Sequence, residues 1–464
     1  MLGVRKTVHG RGSFWVKKKT TKETKGGDEK SGEEALDGER LRKGTDVIKG
    51  KRPFAHVVEK AKMETVCQTC FVQCEQLRRP LQRCAGCKAL RYCSAACQKA
   101  DWKDHKPECA ALKRISPVVP ATFVMFLARI LRKMERNTGE MDVLQLHMPG
   151  EPSDPQQQRG LFAILEHLRH FLPDAEKHLL KSAYPVLRIT SANSFGISGV
   201  EGNNLGVGLY DTVSYINHSC APNCSITFSG VYARVRSVHD LPPNQELTIA
   251  YIDPCDPRAK RRAHLKSQFM FDCECSRCER ERDDDPLLTL CCPGSGCDQI
   301  IKYQLTAPPD DTAFEVTKKC ERGHLDDPAT FDSWSRKVKR VLGIIGEANK
   351  ARRPVQGDMA SFERLLPPTN YLMHIAYTGV LDQAIGTGQF QEALQWARKV
   401  ILVYDALNSP MDPLRGIELL RVAKLQALAR DGRGFLETIQ KAVDVIRLTH
   451  GEDSVVYQQV LALH

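Results

Sequence analysis

Eight residues of the kind that bind soft metals stand in one register between Cys67 and Cys109: Cys67-x2-Cys70, Cys84-x2-Cys87, Cys93-x3-Cys97 and His105-x3-Cys109. Zinc takes four thiolate or imidazole ligands at tetrahedral corners, and a single turn can offer two of them when two or three residues intervene. Four pairs therefore make two sites. Their order suggests interleaving, with Cys67, Cys70, Cys93 and Cys97 around one ion and Cys84, Cys87, His105 and Cys109 around the other. Buried free cysteines are the plainer alternative, since a free thiol packs as a small hydrophobe. Packing alone, however, has no reason to produce four such pairs. Cys74 falls outside the pattern and reads as a free thiol.

A second constellation is Tyr215-Ile216-Asn217-His218-Ser219-Cys220, with Pro222-Asn223-Cys224 behind it. By itself an Asn-His-Ser-Cys run could be a polar turn. It gains force from Glu246-Leu247-Thr248-Ile249-Ala250-Tyr251 and from Cys273-x-Cys275-x2-Cys278 further on. A last group, Cys292-x4-Cys297 and Cys320-x3-His324, has metal-type spacing, but its pairs lie far apart and Cys291 confuses the register.

These motifs carry a family resemblance. With Tyr92 before Cys93, Gln98 after Cys97 and Trp102 ahead of His105, the first set resembles a MYND zinc finger. The second set resembles a SET domain followed by a post-SET zinc element. Together, over nearly the full chain, they resemble the SET and MYND domain-containing (SMYD) protein-lysine methyltransferases. The resemblance implies an α+β multidomain protein. Its parts are a β-rich SET domain with an inserted MYND finger and a helical insert, a zinc-bound post-SET element, and an all-α tetratricopeptide-like C-terminal domain.

Roles carry over where motifs match. Tyr251 corresponds to the catalytic tyrosine, which also borders the cofactor and the substrate channel. Asn217 and His218 correspond to residues holding the amino-acid end of S-adenosylmethionine, Asn193 to another cofactor contact, and Phe271 to the adenine neighbour. Phe195 and Phe269 correspond to walls of the lysine channel. Cys220 with Cys273, Cys275 and Cys278 would complete a third zinc site, and Cys292, Cys297, Cys320 and His324 offer a fourth. The glycine motif that lets backbone approach the cofactor is represented by His9-Gly10-Arg11-Gly12, and His147 matches a cofactor-contact position loosely. Position 269 departs from the family, being Phe where relatives commonly carry Tyr.

The reaction this implies is methyl transfer from a sulfonium to a lysine amine. Free lysine has a pKa of roughly 10.4 and no lone pair when protonated. An apolar channel next to a cationic sulfonium would favour the neutral amine. The alternative is a non-catalytic adaptor in transcription regulation, with the finger recruiting peptides, the helices gripping a second partner and the SET domain vestigial.

The elements that must position these residues follow from length and texture. At 464 residues the chain exceeds a single core and suggests several domains. Residues 1–66 are read as the N-terminal part of the SET domain, including a charged stretch at 17–43 too poor in large apolar side chains to fold. The finger spans 67–109, a helical insert 110–185, the core SET domain 186–253, the post-SET element 254–280, a connector 281–330 and the helical C-terminal domain 331–464. Apolar residues at helical spacing, such as Phe123, Phe126, Leu127 and Ile130, predict helices within 121–183, interrupted by a Pro- and Gln-rich loop at 149–158. From Val186 the texture is β-branched with Gly and Asn, which predicts short strands. Gly388-x-Phe390-x2-Ala393-Leu394 resembles the start of a tetratricopeptide helix pair, echoed from Gly432 to Ala442.

The 18 cysteines cluster in zinc spacings, and the basic start of the chain lacks an apolar segment, so a reducing nucleus or cytoplasm is expected rather than an export route. The longest apolar run, near Val118 to Leu131, is interrupted by Arg129 and falls short of the roughly 20 residues a spanning helix needs. A formal charge of +11 fits a solvated surface, with weak attraction to DNA or an acidic partner as the functional counterpart. The resemblance further implies protein substrates with accessible lysines, histones among them, proline-containing peptides at the finger, and a chaperone contact through the C-terminal helices.

Overall fold

The computed structural model describes residues 2–6, 12–16, 40–136, 141–152, 154–407 and 411–463. The chain divides into two compact units. One comprises Met1–His218, Pro222–Ile249 and Gln268–Met270, the other Ser219–Ala221, Ala250–Ser267 and Phe271–His464.

The first unit is built on small sheets. Asp46–Lys51 lies beside Tyr232–Ser237, which pairs antiparallel with Cys224–Ser229. Ala55–Val58, Asn204–Leu209 and Ser194–Ser198 form a second antiparallel sheet in that order. Pro53 separates Asp46–Lys51 from Ala55–Val58, as a residue without an N–H should. The hairpin turn at Gly230 has φ +57°, and a Cβ there would stand 2.4 Å from the carbonyl oxygen of Cys70, so only glycine fits against the finger. Leu2–Lys6 and Gly12–Val16 make a separate antiparallel pair. The strand Asn217–His218 runs parallel to Thr248–Ile249.

Four long helices complete this unit: Ala95–Ile115, Thr122–Glu135, Pro155–Phe171 and Leu180–Asn193. Thr122–Glu135 is its hub, with every residue from Val124 to Arg132 buried. Ser94 caps Ala95–Ile115 by accepting from the Cys97 N–H at 3.2 Å.

Four expectations change here. The unfolded stretch does not reach residue 43: residues 17–39 lie outside the described residues, but Leu41 is buried and bridges Leu241. The loop at 149–158 stops at Asp154, which caps the next helix through the Gln156 N–H, with Pro155 in the first turn where its missing N–H is not needed. The strand texture expected from Val186 gives way to helix as far as Asn193. There Val186, Leu187 and Ile189 are buried, and the Thr190 hydroxyl returns a 2.8 Å bond to the Val186 carbonyl, so packing outweighs β-propensity. Finally, the connector at 281–330, for which no strand is expected, contains a three-stranded sheet.

That sheet belongs to the second unit and orders Thr289–Cys291, Ile300–Leu305 and Phe314–Lys318 antiparallel. Its apolar face, with Leu290, Ile301 and Tyr303, shares a core with Trp334, Val338, Tyr371 and Tyr377 of the helices. The helices are Pro328–Lys350, Tyr371–Gly386, Phe390–Ala406, Pro413–Leu428, Gly432–His450 and Val455–Leu461, with a short one at Met359–Glu363. Asp327, Asn370, Asp412 and Asp431 cap four of them. Phe390–Ala406 packs on Tyr371–Gly386 and Gly432–His450 on Pro413–Leu428, two consecutive helix hairpins. Among the described residues no helix is long and apolar enough to cross a membrane.

Candidate active site and metal centres

The finger gathers its ligands in two sets. Cys67, Cys70, Cys93 and Cys97 form one and Cys84, Cys87, His105 and Cys109 the other, with all ligand atoms of a set within 4.8 Å of one another. In the first, Cys70 and Cys93 are 3.7 Å apart at Sγ; in the second, Cys84 and Cys109 are 3.7 Å apart and His105 Nε2 lies 3.7 Å from Cys87 Sγ. A tetrahedron with zinc–sulfur bonds of about 2.3 Å has edges of about 3.8 Å. Each Cys-x2-Cys pair closes as a tight turn, Phe71 N–H to the Cys67 carbonyl and Lys88 N–H to the Cys84 carbonyl, with Phe71 and Lys88 left-handed.

Behind the second set lies a buried ionic network that the sequence reading missed. Arg129 donates to both oxygens of Glu108 at 2.6 and 2.5 Å, to Asp101 at 3.1 Å and to the His56 carbonyl at 3.0 Å. Tyr92 donates to Asp101 at 2.9 Å, and Glu108 stands 3.7 Å from His105 Nδ1. Burial would raise Glu108, but the Arg129 guanidinium overrides it and holds the carboxyl down at about 2. Ligand histidines commonly face such a carboxylate on their far nitrogen, which fixes the ring. The one visible signal was Arg129 itself, a cation set in an apolar helical run.

In the second unit Cys220, Cys273, Cys275 and Cys278 come together, with Cys220 Sγ 3.9 Å from Cys273 and 3.7 Å from Cys278. Arg261 Nη2 approaches Cys278 Sγ at 4.0 Å and pairs with Glu281 at 2.6 Å. Arg277 pairs with the same Glu281 at 2.6 Å and reaches the Cys220 carbonyl at 3.5 Å. Four thiolates around a divalent ion carry net negative charge, which the neighbouring Arg261 opposes. Cys224 stays outside the set, its thiol pushed up to about 12 by burial.

The amide side chains of the first unit are held in fixed orientations. Asn193 donates to the carbonyls of His147 at 2.7 Å and Ile189 at 2.6 Å, which brings two of the expected cofactor residues together. The Ser214 hydroxyl donates to the Asn193 carbonyl at 3.0 Å, tying this pair to the turn that leads into Asn217. Asn217 donates to Glu246 Oε1 at 2.7 Å, and Asn223 braces the neighbouring backbone by donating to the Glu246 carbonyl at 2.7 Å and accepting from the Thr248 N–H at 2.8 Å. Glu246, Asn223 and Ser214 had no assigned role in the sequence. Their signal was position alone, inside or beside the recognised motifs.

His218 follows Asn217 on the same strand, half-buried. Phe195 is half-buried with its ring edge-to-face on Tyr210 at 6.0 Å, and Phe269 is buried at the end of helix Arg258–Phe269. Tyr251 and Phe271 belong to the second unit and are half-buried. His9, Gly10 and Arg11 lie outside the described residues, while Gly12 opens a strand whose backbone lies near the turn Val213–Tyr215.

Residues 67–109 match the MYND finger family, so the interleaved pair of sites is a zinc finger of that class. The likeness extends well beyond the finger. The chain is 28% identical over 421 residues to "Histone-lysine N-methyltransferase SMYD3" of Homo sapiens, covering 89% of this chain and 90% of that protein. It is 24% identical over 434 residues to "Histone-lysine N-methyltransferase ASHR1" of Arabidopsis thaliana, covering 88% and 87%, and 25% identical over 422 residues to "N-lysine methyltransferase SMYD2" of Homo sapiens, covering 86% and 88%. Along most of its length the chain is thus similar to SMYD lysine methyltransferases.

Proposed function

We propose that this protein is an S-adenosylmethionine-dependent protein-lysine N-methyltransferase acting on histone or other protein lysines. The observation that carries the reading is its similarity to lysine methyltransferases along almost nine-tenths of its length. The polar set of the first unit fits the cofactor. The amides of Asn193 and Asn217 are anchored on one edge by His147, Ile189 and Glu246, as a site for an ammonium and a carboxylate requires. S-adenosylmethionine, when bound, supplies a methyl group on a cationic sulfur.

This chain's residues would do the rest. Asn217, His218, Asn193 and His147 would hold the amino-acid end, Phe271 would serve as the adenine neighbour, and the glycines of His9–Gly12 would allow a close backbone approach. Phe195 and Phe269 wall an apolar channel that favours the neutral amine. The Tyr251 hydroxyl would orient that amine, and geometry would then contribute much of the rate. Three zinc ions, two in the finger and one at Cys220, Cys273, Cys275 and Cys278, are structural, because four protein ligands leave no open position.

The finger would take proline-containing peptides, for which Trp102 is a suitable face at 43% exposure beside His105. The C-terminal helices offer a surface for a chaperone-type partner, and the basic surface a weak contact with DNA. Nucleus and cytoplasm both suit such substrates.

Calorimetry with S-adenosylmethionine, followed by a methylation assay on a peptide array, tests the reading. Tyr251→Phe should bind cofactor as wild type does but turn over about a hundredfold or more slowly. Wild-type turnover in that variant would remove Tyr251 from the role. Zinc-loaded protein giving no heat with the cofactor would move the assignment to a peptide-binding adaptor.

A further inference from the structure

The small sheet of the second unit ends in a fourth constellation. Cys292 leaves the strand Thr289–Cys291, Cys297 precedes Ile300–Leu305, and Cys320 and His324 follow Phe314–Lys318, so three strands deliver their ligands to one end of the sheet. The four ligand atoms lie within 4.8 Å of one another. Cys297 and Cys320 are 3.8 Å apart at Sγ, and His324 Nδ1 stands 3.2 Å from Cys292 Sγ and 3.4 Å from Cys320 Sγ. The sulfur–sulfur separation matches the roughly 3.8 Å edge of a zinc tetrahedron, and the shorter nitrogen–sulfur distances resemble the 3.3 and 3.7 Å from His105 Nε2 to Cys84 and Cys87 in the finger.

The register ambiguity also disappears. Successive residues of a strand face opposite sides, and Cys291 turns away from the set towards the Glu363 carbonyl, 3.7 Å from its Sγ. Cys292 is thereby the ligand.

The surrounding backbone is shaped to the cluster. The Gly294 N–H points at Cys292 Sγ at 3.5 Å, and a Cβ on Gly294 would stand 2.3 Å from the His324 ring. Gly323 turns the chain between Cys320 and His324 with φ +73°. Gln299 accepts from the Glu321 N–H at 2.7 Å and lies 3.1 Å from Cys320 Sγ, linking the two ligand loops.

We infer that Cys292, Cys297, Cys320 and His324 hold a fourth, structural zinc ion that closes the open end of this three-stranded sheet as a zinc ribbon. Three thiolates and an imidazole are a soft donor set that selects zinc over oxygen-loving cations. With four protein ligands the ion is closed to substrate. Its work is mechanical: it ties the ends of strands only 3, 6 and 5 residues long, which on their own make a marginal sheet. The inference rests on this cluster alone and stands whether or not the chain methylates lysine.

Metal analysis of the full-length protein by native mass spectrometry tests it. Wild type should carry four zinc ions per chain, and Cys297→Ser or His324→Ala should carry three. Three ions in wild type, or four in a folded variant, would overturn the assignment. Should both variants fail to fold, alkylation of the wild-type protein decides. Cys292, Cys297 and Cys320 should resist the reagent while zinc is bound and react together after chelation. Modification of Cys297 at full rate in the zinc-loaded protein would also overturn it.

Discussion

The MYND finger and the C-terminal helices of this chain are held by different means. Across residues 67–109 the buried set includes the ligands Cys67, Cys84, Cys87, His105 and Cys109, an ion-pair network beside them, and few large apolar side chains, Phe71, Leu81, Leu90 and Tyr92. The C-terminal helices bury Leu342, Tyr371, Leu372, Tyr377, Leu381, Ala393 and Ile446 against one another, each helix opening on an Asp or Asn cap in four of six cases. A module of this size cannot bury enough apolar surface to hold itself, so metal binding is its folding free energy. The helices draw theirs from packing. The comparison teaches that one chain can carry both a region that depends on metal and one that does not, and that each should fail on its own terms.

Removal of zinc is the largest expected effect. Structural zinc in small fingers contributes on the order of 10–16 kcal/mol, so chelation should erase hydrogen-exchange protection across residues 67–109 while leaving it in Gly432–His450, whose buried side chains lie outside the core shared with the small sheet. Simultaneous loss in both regions would show that the helices also lean on metal.

Next come single side chains. Arg129→Ala leaves Glu108 and Asp101 buried without their cation and should cost about 3–5 kcal/mol, with weakened zinc retention at the His105 site. Leu381→Ala, at a fully buried helical position, should cost about 2–5 kcal/mol by leaving a cavity, with no change in metal content. A zinc assay on the two variants separates the mechanisms. Metal loss from Leu381→Ala would break the distinction.

The two units should also respond to pH with opposite sign. Burial, helped by Arg129 and Arg52, pulls His56 in the first unit down from 6.5 to about 3. Its unfolded form therefore binds a proton that the folded form refuses, and stability falls as pH drops from 6.5 towards 3. Burial, with the Asp253 charge adding, raises Asp256 and Asp412 in the second unit from 3.8 to about 6. For these the folded form holds the proton, so their contribution is full below 3.8 and is lost as pH rises to about 6. Each group gives a slope of about 1.4 kcal/mol per pH unit inside its window. His56→Phe should flatten the acid loss in the first unit, and Asp412→Asn, which keeps a capping oxygen, should remove the loss on raising pH in the second. Unfolding monitored by regional hydrogen exchange between pH 4 and pH 6.5 reads both; slopes of the same sign in wild type would count against the assignment.

The smallest effect is one of product. A hydroxyl at position 269 could hydrogen-bond the substrate amine or a water in the space a further methyl needs. Such a bond contributes roughly 1 kcal/mol, enough to move a product ratio several-fold. Phe269→Tyr should shift products towards monomethyl-lysine on a single-lysine substrate, and identical mass distributions would remove Phe269 from that role.

Local chemistry explains what could be read directly. A zinc pair two to four residues apart is a property of one turn, so the ligands between Cys67 and Cys109 stand out before any fold is known, and helical spacing around Phe123 and Ile130 is equally local. The motifs around Asn217 and Tyr251 carry the family for a similar reason, being short and contiguous. What required the tertiary structure depends on neighbours distant in the chain. The helix continues from Val186 to Asn193 because buried packing overrides β-branched propensity. Leu41 is ordered because Leu241 pairs with it. Cys292 rather than Cys291 joins the fourth cluster because strand alternation against Ile300–Leu305 decides which face each presents. Arg129 looked like a break in an apolar run, yet it is the buried hub of the finger's ion pairs, since the carboxylates that neutralise it arrive from another helix. Spacing along the chain determines which groups can share a turn, while burial and partnership arise only when segments far apart in sequence exclude water together.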